Sequence, residues 1–499
     1  MFDVLDRYGE FTDLKMLKEF SARPLRKSLR VNLLKSSVEK FKEWAKRKGW
    51  QIEQVSWCKE GFFVERFPVG TPHPNPLPQG ERGNSMEALG KDLLHIVGHT
   101  YMQEAASMLP VALLDPKPGD AVLDMCAAPG SKTTQIAARM GGGGVIVANE
   151  VQEKRLWTLK ASLHRSGVAN VLVTKKVGQW FGRHMTERFD KVLCDAPCTA
   201  QGTVRKDSDA LNFCGPENIG KMARLQKELL ESAVHAAKVG GTIVYSTCTL
   251  TPEENEMVVL QTLNKFSDQL EVVDPLVRLA ISDQRSVFER TVNDSLQVQE
   301  WISSAYRLPL TAYPCMRLWP HAYDTEGFFA AVLRKKSPTR DKEFMEWIDL
   351  KEEPLPRVRS EEMRLTLRSH YGMDVLKEGE CLWQSGRDQL VLTTDETVRF
   401  RLPVADYALG LPFGKRLSDN RVMLGHEMAT LRGHEATKNF HELDEASLEE
   451  ILRGKDIICS SDLHGHVILR FGDVAIGYGL AKEGKIKNNL PRWIVGLRN

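Results

Sequence analysis

The sequence predicts an α/β protein: a mostly parallel sheet covered by helices on both faces, preceded by an α+β region and followed by a small β-rich one. Three observations carry that reading. From about Tyr101 to Lys336, short apolar runs alternate with helical segments, the pattern of strands buried on both faces. Before this zone, amphipathic helical spacing mixes with short strands such as Gly61-Phe62-Phe63-Val64. After it come β-like runs at Val398–Leu402, His466–Phe471 and Val474–Tyr478. At 499 residues the chain exceeds what one core holds, so several domains are expected.

The elements follow in order. Residues 1–100 form the first region. Within it, Thr71 to Gly80 carries four prolines in ten residues, which no helix or central strand tolerates, so an extended loop is expected. The central zone, 101–336, offers strands at Ala121–Met125, Val145–Asn149, Val171–Thr174, Lys191–Cys194 and Thr242–Ser246. A helix is expected over Thr133–Met140, and a late strand over Gly327–Leu333. Residues 337–367 are charge-dense with three prolines and read as a linker, leaving 368–499 as the C-terminal domain.

Composition excludes several classes. Hydrophobic content of 42% and charged content of 27% are ordinary for a globular protein. No apolar stretch approaches the ~18 residues that span a bilayer, and the first residues lack the apolar core of a signal peptide. The nine cysteines are scattered without a CxxC pair, so neither a disulfide framework nor a metal site is expected, and a reducing cytoplasm is. The net charge is only +2, yet Ser21 to Trp50 holds ten Lys or Arg against two Glu, and Val474 to Asn499 five against one. Basic clusters at both ends suit binding of a phosphate backbone.

The strand Ala121–Met125 runs into Cys126-Ala127-Ala128-Pro129-Gly130-Ser131-Lys132 and then into a helix. Small residues in such a turn let a ligand approach the backbone and the helix N-terminus. The next strand ends at Glu150, about 20 positions after the glycine turn, where an acidic residue holds a ribose diol. A GxGxxG pyrophosphate cradle and a P-loop are both missing. The ligand is therefore expected to be an adenosine without a diphosphate, and S-adenosylmethionine fits best.

Two further strand ends carry thiols: Cys198, after Asp195-Ala196-Pro197, and Cys248, after Ser246-Thr247. Ligands bind at the carboxyl ends of such strands. The other cysteines read as small buried hydrophobes. Two thiols beside a methyl donor suit cytosine, whose C5 becomes nucleophilic only after a thiolate adds at C6. A base must then remove the C5 proton so that the thiol can leave. Asp195 is placed to hydrogen-bond the N3/N4 edge, and Lys132, Arg205 and Lys206 are candidates for an electropositive surrounding. Either thiol fits the attacking role. An adenine amino-methyltransferase would need an aromatic after its Pro, which Asp195-Ala196-Pro197-Cys198 lacks.

The stretches Asp124–Lys132, Asp195–Lys206 and Tyr245–Glu256 resemble the Sun-type RNA cytosine-5 methyltransferases, as do Arg26–Lys35 and Asp324–Phe329. The length and the basic tail, at Gly479–Lys482 and Asn488–Arg492, are similar to the branch of that family acting on bacterial 16S ribosomal RNA. The resemblance implies a Rossmann-like S-adenosylmethionine-dependent methyltransferase domain with a mixed, mostly parallel sheet. An N-terminal RNA-binding region and a C-terminal PUA-like domain would flank it. It implies that Cys248 attacks and Cys198 assists release of the methylated base. Cys126, Ala127, Ala128, Pro129, Gly130, Ser131, Lys132, Glu150 and Asp195 would contact S-adenosylmethionine. The partner would be RNA, from 16S ribosomal RNA or the small ribosomal subunit.

Two departures stand out. Val177 occupies a position where the family usually carries Asp to hydrogen-bond the adenine, and Thr199-Ala200-Gln201 replaces the usual Ser-Gly-Glu/Thr. Loss of one hydrogen bond weakens cofactor binding by ~0.5–1.5 kcal/mol. An RNA-binding assembly factor with a weak or silent core is the alternative this departure motivates.

Overall fold

The computed structural model describes residues 3–66, 89–279, 285–306, 313–340, 360–386, 388–404, 406–417 and 422–495. The Pro-rich stretch 71–80 lies outside them.

The first region builds a small antiparallel sheet from β1 (Ser28–Val31), β2 (Trp50–Gln54), β3 (Gly61–Arg66) and β4 (Thr100–Met102), in the order β2-β3-β1-β4. Its apolar face is shared with distant chain. Phe41, Trp44, Phe62 and Val64 pack in one cluster with Val467, Ile476 and Ile494 near the other terminus.

The large central sheet holds β5 (Ala121–Asp124), β6 (Val145–Asn149), β7 (Val171–Thr174), β8 (Phe189–Asp195) and β9 (Ala237–Thr247), which run parallel in the order β9-β8-β5-β6-β7. Antiparallel β12 (Phe328–Lys335) pairs with β9, and β10 (Leu270–Val272) and β11 (Met316–Leu318) pair with β12. Neighbours along each strand pack on opposite faces. Val122, Ile146, Ala148 and Val244 belong to one core, and Leu123, Val147, Leu172 and Ile243 to the other. Burial of both faces is why these strands read as unbroken apolar runs. The helix expected over Thr133–Met140 spans Ser131–Arg139.

The far edge of this sheet was not foreseen. β15 (Ala408–Leu409), from the C-terminal part of the chain, pairs antiparallel with β7. The remaining C-terminal strands form two sheets. β13 (Glu380–Ser385), β14 (Gln389–Thr394), β16 (Leu411–Arg416) and β17 (Val422–Leu424) make one. β18 (Phe440–Glu442), β19 (Ile457–Ile458), β20 (Gly465–Phe471), β21 (Val474–Lys482) and β22 (Lys485–Asn488) make the other.

Two expectations are corrected. Val398–Leu402 is no strand: Asp395–Arg399 is helical, with the Thr394 side chain accepting from Thr397 N as an N-cap. The apolar residues of that stretch pack individually, Phe400 lying 5.6 Å from the Phe189 ring. The end of the expected linker is also ordered, since Ser360–Tyr371 is a helix whose Leu367 and Tyr371 are buried against Leu382 and Leu424.

Candidate active site

The carboxyl ends of β5, β6, β8 and β9 lie side by side, with the loop 126–132, Glu150, Asp195, Cys198 and Cys248 at or just beyond them. At the β5 end, Ala127 N donates to Asn149 O at 2.8 Å, which lays the loop 126–132 across the neighbouring strand. The Asn149 side chain ties three strand ends together. Its Nδ2 donates to Met125 O and Lys176 O, and its Oδ1 accepts from Thr174 Oγ1 and Lys176 N. Gly130 has φ +108°, and an added Cβ would come within 2.9 Å of Ser162 Cβ, so only glycine fits that turn. Beyond it, Ser131 opens the helix, and Gly130 at its N-cap puts no side chain on its first amides. Arg155 Nη2 donates to Ala128 O at 2.6 Å, fixing the loop from outside.

Three acids surround this edge. Glu150 is buried, with Oε1 accepting from Gln152 N at 2.8 Å and Oε2 3.2 Å from Arg155. Asp124 is buried, and its Oδ2 accepts from Thr133 Oγ1 at 2.7 Å while Oδ1 has no partner. Burial pushes its carboxyl up to about 7; the Thr133 hydrogen bond opposes this and the Asp195 charge adds to it. Asp124 was quoted within the motif but not singled out as a site residue. Asp195 Oδ1 accepts from Ser246 Oγ at 2.7 Å and Oδ2 pairs with Lys132 Nζ at 2.7 Å. Burial alone would lower the Lys132 pKa, but Asp195 and then Cys248 outweigh it, so the ammonium stays charged. An acid-lined turn with one orphaned carboxylate oxygen fits a cationic adenosyl sulfonium with a free ammonium. Val177 is exposed on the loop after β7 and offers no acceptor side chain there.

The two thiols meet. Cys198 Sγ and Cys248 Sγ are 3.4 Å apart, both half-buried. The pairing of β8 with β9 sets Asp195 opposite Ser246, and Ala196 N donates to Ser246 O at 2.9 Å. Gly202 N then donates to Cys248 O at 2.9 Å, and a Cβ on Gly202 would overlap the Cys248 and Gly327 carbonyl oxygens. Its hydrogen bond to Cys248 pushes the Cys198 thiol well up, and burial adds to that. Arg205 lies farther off, bound to Asp324, Thr325 O and Pro24 O, so Lys132 supplies the nearby positive charge.

Glu254 holds both thiol loops, and sequence reasoning did not single it out. Fully buried, it accepts at Oε2 from Thr199 N at 3.0 Å and Gln226 Nε2 at 2.7 Å. At Oε1 it accepts from the Thr199 hydroxyl and from Thr251 Oγ1 at 2.8 Å. Behind it, the buried Glu256–Arg317 pair at 2.5 Å anchors the same segment, and Arg317 Nη1 donates to Leu250 O.

Comparison with known proteins agrees with this arrangement. Residues 111–334 match a family model described as 16S rRNA methyltransferase RsmB/F. Residues 9–105 match the N-terminal domain of 16S rRNA methyltransferase RsmF, and 438–495 the methyltransferase RsmF PUA domain. A ribosomal RNA small subunit methyltransferase F from Aeromonas salmonicida is 35% identical over 95% of this chain and 91% of its own. One of the same description from Klebsiella pneumoniae is 35% identical over 95% and 91%. Among solved structures, a methyltransferase homologue from Pyrococcus horikoshii is 33% identical, with a TM-score of 0.50 over 66% of this chain and 93% of its own.

Proposed function

The chain belongs to the 16S rRNA methyltransferase RsmB/F family, and on that premise we propose that it methylates C5 of a cytosine in RNA of the small ribosomal subunit. The observation that carries this reading is the pair of thiols 3.4 Å apart beside the Lys132–Asp195 ion pair. S-adenosylmethionine, held by Cys126 to Lys132, Glu150 and Asp195, supplies an electrophilic methyl group when bound.

The chain's own residues do the rest. The cytosine enters unstacked, because C6 is closed to attack inside a helix. Cys248 attacks C6 as the thiolate; Asp195 accepts from the 4-amino group, and the Lys132 ammonium offsets negative charge building on the ring. C5 then takes the methyl carbon, and the carbon–sulfur bond to the departing sulfur breaks. The two cysteines differ in how they respond. While Cys248 is a thiolate, its hydrogen bond keeps Cys198 protonated. Once Cys248 is bonded to C6 that bond is gone, and Cys198 gives up its proton to solvent, the one proton the reaction releases. Cys198 then accepts the C5 proton and Cys248 leaves as thiolate, restoring the ring and the starting thiol pair. The chemistry requires both cysteines reduced, which fits a reducing cytoplasm.

The test uses labelled S-adenosylmethionine with small ribosomal subunits or their free RNA. Cys248→Ala is expected to abolish transfer, and Cys198→Ala to accumulate a covalent protein–RNA adduct. Activity in Cys248→Ala, or no adduct in Cys198→Ala, overturns the assignment. If the wild type transfers no methyl group, the protein is an RNA-binding assembly factor instead.

A further inference from the structure

A second concavity lies away from the thiols. About 690 Å³ in volume, it opens where the helix Glu153–Ser166 meets the first region and the C-terminal part of the chain. None of Asp195, Cys198, Cys248 or Glu150 lines it. It nonetheless backs onto the cofactor turn, because Ser162 on its wall packs against Gly130.

Its lining is that of a ligand site. Arg165 Nη1 donates to His95 O at 3.0 Å and lies 2.8 Å from His95 Nε2, and its guanidinium sits 5.2 Å from the Tyr101 ring centre. No carboxylate pairs with it among the described residues, so a cation stands in the wall without a counter-ion. Lys35, buried behind the wall on Val97 O and Thr430 Oγ1, is pulled down to about 7 by that burial, so Arg165 is the standing cation here. The one acid in the wall, Glu427, is pushed toward its neutral form by burial. His426 Nδ1 is buried with no hydrogen-bond partner among the described residues, although it can donate or accept, and His95, whose Nε2 takes the Arg165 contact, stands beside it in the wall. At the same cavity Trp493, about half exposed, stands edge-on to His426 at 5.7 Å. An indole, a guanidinium without a carboxylate partner and an unsatisfied imidazole in a cavity of this size match the way single nucleotides are held, by stacking, edge hydrogen bonds and phosphate contact.

We propose that this cavity holds one unstacked nucleotide of the RNA substrate, its base on Trp493 and against the imidazoles of His95 and His426, its phosphate on Arg165. The site anchors RNA away from the target cytosine and rests on the RNA-methylation reading above.

The test measures methyl transfer to small-subunit RNA by the full chain at varied RNA concentration, alongside direct RNA binding by fluorescence anisotropy. Trp493→Ala is expected to raise KM and Kd for RNA roughly tenfold with kcat within about twofold. Trp493→Phe keeps most of the affinity. Arg165→Gln weakens binding and flattens its salt dependence by about one phosphate contact. Trp157→Ala, an exposed indole on the same helix outside the cavity, changes neither constant. Unchanged KM and Kd in Trp493→Ala, or a fall in kcat alone, overturns the proposal. A wild type that binds RNA but transfers no methyl group sinks the catalytic reading, and the binding arm still decides this one.

Discussion

Replacing Glu254 with Gln removes one charge and leaves the side-chain shape nearly intact, so its effect isolates what the buried carboxylate does. Five groups donate to it: Thr199 N, the Thr199 hydroxyl, Thr251 Oγ1, Gln226 Nε2 and, at 3.4 Å, Thr249 Oγ1. Glutamine can turn its NH2 toward the threonine hydroxyls, which rotate to accept. No donor need then be orphaned, but every bond loses its charge assistance. Hydrogen bonds to charged groups contribute ~1.5–3 kcal/mol against ~0.5–1.5 for neutral ones, so the four shorter bonds lose about 4 kcal/mol and the long Thr249 one adds little. Relief from burying a lone charge returns part of that, leaving a net loss of about 2–3 kcal/mol. For a domain of this size the melting temperature falls roughly 3 °C per kcal/mol, so a drop of roughly 6–9 °C is expected by circular dichroism. Thr199 and Thr249 flank the two cysteines, so loosening them also separates the sulfurs. Measured well below the new melting point, kcat should fall at least ~10-fold. Alkylation of Cys198 and Cys248, followed by mass spectrometry, should quicken. A variant melting within about 1 °C of wild type with an unchanged kcat would refute the idea that Glu254 holds the thiol loops.

Three further outcomes follow from the same edge of the sheet. Raising the Asp124 carboxyl from its ordinary 3.8 to about 7 means the fold favours its protonated form. Stability from this group is therefore complete below about pH 4 and is lost as pH rises toward 7, by up to ~4 kcal/mol. Asp124→Asn should remove that slope in the cofactor-free protein, read from urea midpoints between pH 4 and 8, while weakening S-adenosylmethionine binding in calorimetry. Val177→Asp adds an acceptor on an exposed side chain, at no packing cost, and should tighten cofactor binding by ~2–10-fold; no gain would mean the adenine lies elsewhere. Ala200 sits at φ +56°, where its Cβ costs ~1–2 kcal/mol, so Ala200→Gly should stabilise by about 0.5–1 kcal/mol after the added freedom of the unfolded chain is subtracted. A lower urea midpoint in that variant would count against strain at the turn.

The central sheet was legible because burial of both faces leaves each strand an apolar run. Val145–Asn149 and Val171–Thr174 therefore coincide with β6 and β7 from end to end. The short β15 was not, because two residues acquire strand geometry only by lying against β7, and nothing local announces that. Val398–Leu402 misled for the opposite reason: its β-branched and aromatic composition suits a strand, but the Thr394 cap starts a helix just before it. In the site, Glu150, Asp195 and the two thiols stood out because each follows or ends a recognisable strand, whereas Asp124, at the end of β5, was passed over within its motif. Glu254 was hidden in Glu253-Glu254-Asn255-Glu256, a charged run that ordinarily reads as solvated surface. Only the turn after Pro252 buries Glu254, Asn255 and Glu256, while Glu253 reaches Arg7.

The order of the two thiols is a separate matter from their proximity. A sulfur–sulfur distance is symmetric, so 3.4 Å says that the cysteines act together and nothing about which attacks. Their surroundings break the symmetry. Cys198 is held protonated by its partner and by burial, while the Lys132 ammonium, paired with Asp195, stays charged beside them. A thiolate beside a fixed cation is a good nucleophile, and a sulfur kept as a thiol is a good proton carrier. The protonated state of Cys198 suits it to carrying the proton, and attack by Cys248 remains what the resemblance implies and what we propose. In that proposal the Lys132 ammonium supports the Cys248 thiolate. Lys132→Met should weaken both the attack and the distinction between the two cysteines, so that iodoacetamide labels them at more nearly equal rates.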